Sequence, residues 1–139
     1  MTDGSRVSLV RAGDLTSSVP YAYAAVAEPG NLLVFTAGAC PLDEAGEVVF
    51  PGEVDAQARQ VMANLETALR AAGAELGDVA KTTVYVASDR REDLVAAWEV
   101  VRERFGAHDA RSTLLGVATL GYPGQLVEVE AVASVGRSR

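Results

Sequence analysis

The chain has 139 residues, 49% of them apolar and 22% charged, a length that fills one domain and a composition that excludes disorder and fibrous repeats. Nineteen acidic against 12 basic side chains give a net charge of -7, which repels phosphate backbones and anionic lipid and argues against a nucleic-acid or membrane partner. A single cysteine, Cys40, and a single histidine, His108, exclude an internal disulfide and a His/Cys metal cluster; with no apolar leader and no long apolar run, a cytoplasmic setting is expected.

Residues 21–27 are apolar, Glu28-Pro29-Gly30-Asn31 is a turn signal, and residues 32–37 are a β-branched and aromatic run. Together they predict a hairpin. A second turn at Asp43-Glu44-Ala45-Gly46 precedes a short predicted strand over 47–50, which Pro51-Gly52 ends. From Val54 the period becomes helical: Val54, Ala58, Val61, Met62, Leu65, Leu69 and Ala72 share one face, while Gln57, Arg59, Asn64, Glu66 and Arg70 lie elsewhere. Gly73 is placed as the C-terminal cap. Residues 80–87 read as a strand. Leu94, Ala97, Trp98, Val101 and Phe105 form a second helical stripe, begun near Asp89 and ended by Gly106, with Trp98 as a core anchor. Strands over 112–118 and 125–135, joined by the loop 119–124, complete the order β-β-β-α-β-α-β-β. This is an α+β pattern with a mixed sheet, in a single domain over 1–139.

The strands are apolar on both faces. Leu33 and Phe35 oppose Leu32 and Val34, Thr83 and Tyr85 oppose Val84 and Val86, and Leu114 opposes Leu115 and Val117. Short right-handed crossovers bring the two helices to one face, so the other face would expose more apolar surface than a monomer tolerates. A homo-oligomer that packs these faces about a shared axis is the expected resolution, with small-molecule clefts between copies. The alternative is a loop or the N-terminal segment folded over that face.

Arg111 stands at the mouth of the strand over 112–118, and Glu128 and Glu130, spaced by two, project from the face opposite Val127, Val129 and Ala131. Carboxylates on an otherwise apolar strand need a partner. A guanidinium can clamp a carboxylate by two parallel hydrogen bonds, and a glutamate such as Glu128 can orient and deprotonate a water beside an electrophilic carbon. A structural ion pair would use the same residues. Cys40 lacks a basic neighbour that would activate it and reads as a small buried side chain. His108 reads as exposed, and Gly121-Tyr122-Pro123-Gly124 is no phosphate loop.

Over almost the whole chain the sequence resembles the RidA (YjgF/YER057c/UK114) family of reactive-intermediate deaminases. The residues that carry the likeness are Pro20-Tyr21, Gly30 through Gly38 with Pro41, Gln57 with Ala58-Arg59-Gln60 and Asn64, Ala72-Gly73, Asp78 through Val86, Trp98, Phe105, Ala110-Arg111-Ser112, and Val127 through Ala131. The resemblance implies a chorismate-mutase-like fold, with two helices on one face of a mixed sheet, assembled as a trimeric barrel with clefts between subunits. It also implies cofactor-free and metal-free hydrolysis of 2-imino or enamine acids to 2-oxo acids and ammonia. Arg111 matches the family's carboxylate-binding arginine, Glu128 the acid that positions water, Tyr21 the tyrosine of the cleft, and Ala37 and Gly38 its other wall. The chain departs from the family pattern in three places. Thr36-Ala37-Gly38-Ala39 replaces Thr-Ser-Gly-Gln, Thr113 stands where a cysteine is frequent, and Val95 where an asparagine is expected. A small carboxylate-bearing substrate is therefore the expected partner. A non-catalytic or chaperone-like protein binding 2-oxo acids is the alternative, and a ribonuclease or translation inhibitor fits the charge least well.

Overall fold

The computed structural model describes residues 7–19, 21–109 and 111–137; Pro20 and Ala110 of the family-like segments lie outside them. Strands β1 (Val7–Val10) and β2 (Ala24–Ala27) form a two-stranded antiparallel sheet. The principal sheet contains β3 (Leu32–Phe35), β4 (Val79–Val86), β5 (Ser112–Gly116) and β6 (Val127–Val135) in the order β3-β6-β4-β5. Only β4 and β5 run parallel, as the helical crossover between them requires. Helices α1 (Val54–Ala71) and α2 (Arg91–Phe105) both pack on one face of this sheet.

Period-two alternation decides which face. Val127, Val129, Ala131, Ala133 and Val135 of β6 and Val84 and Val86 of β4 point at the helices and are buried. They meet Ala58, Val61, Met62, Leu65 and Leu69 of α1 and Ala97, Val101 and Phe105 of α2 in one core. The apolar stripes expected of both helices are thus the faces they bury, except for Ala72, which is exposed as the cap that follows α1. Trp98 packs against that core, and Gly73 comes next after Ala72 with φ +86, where a side chain would be strained. No described helix is long and apolar enough to cross a membrane.

Two expected elements differ. The hairpin over 21–37 does not form: β2 pairs with β1, a strand not anticipated, and β3 pairs with β6 in the register Leu32↔Val135 to Phe35↔Val132. Nine-residue β6, with every second side chain in the core, offers β3 a longer and drier partner than the alanine-rich β2. The strand over 47–50 is a loop with one isolated bridge, Leu42↔Val48. There the Asp43 carboxylate accepts the N–H groups of Ala45 and Glu47, curling the backbone, and Phe50 leaves it with a left-handed φ of 53°.

The other sheet face carries Phe35 (70% exposed), Leu33 (54%) and Leu115 (42%), together with Lys81, Thr83, Tyr85, Thr113, Glu128 and Glu130. It is therefore mixed rather than uniformly apolar. The β1–β2 hairpin lies against β4 at one end of it, so the N-terminal covering weighed above is realised over that end alone.

Candidate active site

At that end Arg111 precedes β5, and its guanidinium is almost fully buried. Nε donates to the Ala80 carbonyl at 3.0 Å, Nη2 to the Val79 carbonyl at 2.9 Å, and Nη1 to the Asp109 carbonyl. Three of the five guanidinium N–H donors are thereby fixed on main chain, which leaves one on each Nη. Burial pulls the guanidinium below the ordinary arginine range and Asp109 acts against that, yet arginine keeps its charge in proteins. A cavity of about 360 Å³ opens here, lined by Arg111, Tyr21, Tyr23, Lys81, Ser112 and Thr113 among others. Lys81 donates to Thr113 Oγ1 at 2.9 Å. The lining holds two cations and no acid, so its field favours an anion.

The other half of the expected site lies where β3 runs out. Thr36 is pinned to β6 by its N–H to the Ala131 carbonyl and by the Ala131 N–H to its Oγ1, both 3.0 Å. Ala39 is pinned by two main-chain bonds to Val129, at 2.7 and 3.2 Å. Between these anchors stand exposed Ala37 and half-buried Gly38. A Cβ on Gly38 would sit 1.9 Å from Glu128 Oε2 and within 3 Å of two further Glu128 atoms, so this position needs glycine for room. Glu128 Oε1 accepts Gln125 Nε2 at 3.1 Å and the Cys40 thiol at 3.6 Å. Burial, followed by the Glu128 charge, pushes the Cys40 thiol up. Across the strand, burial and then Glu130 push the Tyr85 phenol up. Both therefore stay protonated at neutral pH.

The register separates the two halves. Arg111 stands beside Lys81, one residue before the pair Ser112↔Thr82, whereas Glu128 is level with Tyr85. Four residues along β4 and two strand spacings across amount to about 13 Å and about 10 Å. Within one chain Tyr21, Arg111 and Thr113 share the cavity, and Ala37, Gly38 and Glu128 gather elsewhere.

Polar residues of α1 hold the second half in place. Fully buried Gln57 donates to the carbonyls of Phe50 and Gly124 at 3.2 and 3.0 Å and accepts the Leu126 N–H at 2.7 Å. Asn64 donates to the carbonyls of Cys40 and Leu42, both at 2.9 Å. These two side chains tie down the loops that bracket Glu128. The sequence reading set Gln57 apart from the buried face and missed Gln125. The signals were there: 57 is three after Val54 and four before Val61, and 125 is two before inward-facing Val127. Cys40 is not merely a small buried side chain, since its thiol faces a carboxylate. His108 is not exposed; its Nε2 meets the Val79 carbonyl at 2.8 Å. Val95 is 54% exposed on α2. Among the described residues no three His, Cys, Asp or Glu side chains are grouped as metal ligands would be.

Residues 13–135 match the protein-family model described as Endoribonuclease L-PSP. A RutC family protein of Pyrococcus horikoshii is 39% identical over 112 residues, 80% of this chain and 85% of that protein. The 2-iminobutanoate/2-iminopropanoate deaminase of Escherichia coli K12 is 45% identical over 58 residues, 41% of this chain and 43% of that protein. Among solved structures, YyfB of Yersinia pestis, a Rid-family protein of unknown function, superimposes with a TM-score of 0.85 at 30% identity, covering 94% of this chain and 99% of that one.

Proposed function

The chain belongs to the Endoribonuclease L-PSP family, the YjgF/RidA proteins, and from that premise we propose that it is a cofactor-free cytoplasmic hydrolase that deaminates small 2-imino or enamine acids to 2-oxo acids and ammonia. One observation carries this reading. A buried guanidinium, immobilised on three carbonyls and left with two N–H donors, lines a cavity that holds a second cation and no acid. That is a receptor for a carboxylate. Tyr21 and Thr113 shape its walls.

A site shared between copies accounts for the register. Some 13 Å of strand is too far for one small acid to touch both Arg111 and Glu128. In a homotrimer closed on the open sheet faces, Arg111 of one copy meets Glu128 of the partner subunit across a cleft, and Phe35, Leu33 and Leu115 leave water. The chemistry then needs little beyond positioning. Arg111 holds the substrate carboxylate, Ala37 and Gly38 leave room beside C2, and Glu128 takes a proton from water as the oxygen adds to C2 of the iminium. The proton returns to nitrogen. The carbinolamine collapses to the 2-oxo acid, and ammonium carries off the last proton.

Ammonia release from an imine generated in situ by an amino-acid oxidase tests the reading. Wild type accelerates release above the spontaneous rate, and Arg111→Ala returns it to that rate. Equal rates for the two proteins refute the clamp. A second reading, binding of 2-oxo acids without turnover, is favoured by exposed Ala37 and by Ala39, whose main-chain groups are spent on Val129. Calorimetric binding with no ammonia release would select it. Net charge -7 and two carboxylates on the open face weigh against an RNA substrate.

A further inference from the structure

We propose that Gln125 and Cys40 are positioning residues that hold one oxygen of Glu128, so that the other, Oε2 above Gly38, is the oxygen that takes the proton from water. This rests on the deaminase reading above and goes beyond it, since neither residue belongs to the pattern that suggested that reading.

A carboxylate torsion is soft, with broad wells and little intrinsic preference. Something must stop Glu128 from turning, and the surroundings supply it from two directions. Gln125 is 3% exposed. Its Oε1 accepts the Tyr122 N–H at 3.2 Å, and its Nε2 donates both to the Val127 carbonyl at 3.1 Å and to Glu128 Oε1 at 3.1 Å. Because main chain engages both ends of the amide, its orientation is fixed: the nitrogen, not the oxygen, faces Glu128. From the other side the Cys40 sulfur lies 3.6 Å from the same Oε1 and 3.5 Å from the Gly38 carbonyl. A protonated thiol there can only donate, and its single S–H is shared between these two acceptors.

Both donors are neutral. Among the described residues no Lys, Arg or His lies within ion-pair distance of Glu128. Its charge is therefore oriented without being cancelled, which is what a general base requires. Oε2 accepts no hydrogen bond from the described residues and sits where Gly38 has no side chain. The arrangement saturates one oxygen and leaves the other's lone pairs directed at the space beside Ala37 and Gly38. Two hydrogen-bonding residues of α1 reinforce it: half-buried Asn64 fixes the Cys40 carbonyl, and buried Gln57 fixes the residues on either side of Gln125.

The test uses the full chain, steady-state kinetics with the in situ imine, and calorimetry with a 2-oxo acid. Gln125→Met keeps the volume and removes the donor. It is expected to lower kcat by about 10- to 100-fold, as misplacing a catalytic group does, while KM and 2-oxo acid affinity, set by Arg111, stay within about twofold. Cys40→Ala is expected to lower kcat several-fold, and Cys40→Ser, which restores a donor, to recover most of it. Wild-type kcat in Gln125→Met, parallel losses in kcat and KM, or Cys40→Ser no better than Cys40→Ala overturns the proposal while leaving the deaminase reading intact. If Gln125→Met does not fold, the Cys40 pair decides. A wild-type chain without turnover refutes the deaminase reading itself, and the hold of Gln125 and Cys40 on Glu128 then stands or falls on whether the Glu128 carboxylate rotates in a crystal structure of Gln125→Met.

Discussion

The two ends of the open sheet face are built by different means. At the Arg111 end a cation is held by three main-chain carbonyls, and at the Glu128 end an anion is held by two neutral side chains and by the missing Cβ of Gly38. Main-chain carbonyls, two of them in β4, do not change when neighbouring side chains do. Substitutions around the cavity can therefore reshape it without moving the guanidinium, and on the deaminase reading proposed above the substrate range would drift there. At the other end the side chains are the scaffold, so on that reading substitutions would act on the rate.

Separating the two ends has the largest expected effect. Phe35→Asp puts a charge on the most exposed apolar side chain of the open face, where assembly would have to desolvate it. Light scattering should show monomers, and turnover should vanish although each half is intact. A monomer that still releases ammonia would end the shared-cleft model. Next comes Arg111→Lys. An ammonium cannot span three carbonyls and also fork onto a carboxylate, so kcat/KM should fall by about 10²-fold or more, with 2-oxo acid binding lost in calorimetry. Gly38→Ala belongs to the other end. The new Cβ displaces the Glu128 carboxylate, and kcat should fall by about 10-fold or more with KM nearly unchanged. If KM rises instead, the division of labour between the ends is wrong.

How far these residues could be read from the sequence follows the same division. The helices, β4, β5 and β6 were legible because apolar periodicity reports directly on burial, and the faces of Glu128 and Glu130 followed from it. The hairpin over 21–37 was not, because a turn signal such as Glu28-Pro29-Gly30-Asn31 fixes a reversal of direction but not which strands pair afterwards. Arg111 and Glu128 were found as residue types and through a family likeness, whereas their separation depends on the β4 register, a tertiary fact. Gln57 and Gln125 are polar residues at inward positions. A stricter reading of the period would have marked them as buried and hydrogen-bonded.

Gln57 sharpens the comparison at an intermediate scale, through stability. Gln57→Leu leaves the Leu126 N–H and the carbonyls of Phe50 and Gly124 without their partner. A buried group left unpaired costs about 1–3 kcal/mol, so with three groups affected denaturant unfolding should show a loss of about 3 kcal/mol or more. The same change at exposed Arg59, outside the buried face, should cost almost nothing. Equal losses at the two positions would mean that the loops bracketing Glu128 are not held by α1.

The smallest effect is read at the Cys40 thiol. Burial, and after it the Glu128 charge, raises its proton affinity, while the Gln125 hydrogen bond works the other way. The nucleophile in alkylation is the thiolate. Iodoacetamide at pH 8 should therefore modify native Cys40 more slowly than the unfolded chain, Glu128→Gln should speed the reaction, and Gln125→Met should slow it further. The same inequality links to stability. In the alkaline range the unfolded thiol releases its proton first while the folded one keeps it, so the unfolded state binds fewer protons and stability falls as pH rises. That contribution is fully present below the ordinary thiol range and is lost as pH climbs through the raised value. Cys40→Ser, which does not titrate there, should flatten that slope. Glu128→Gln without any effect on the alkylation rate would mean that the thiol and the carboxylate do not meet, and the Glu128 end would lose one of its two supports.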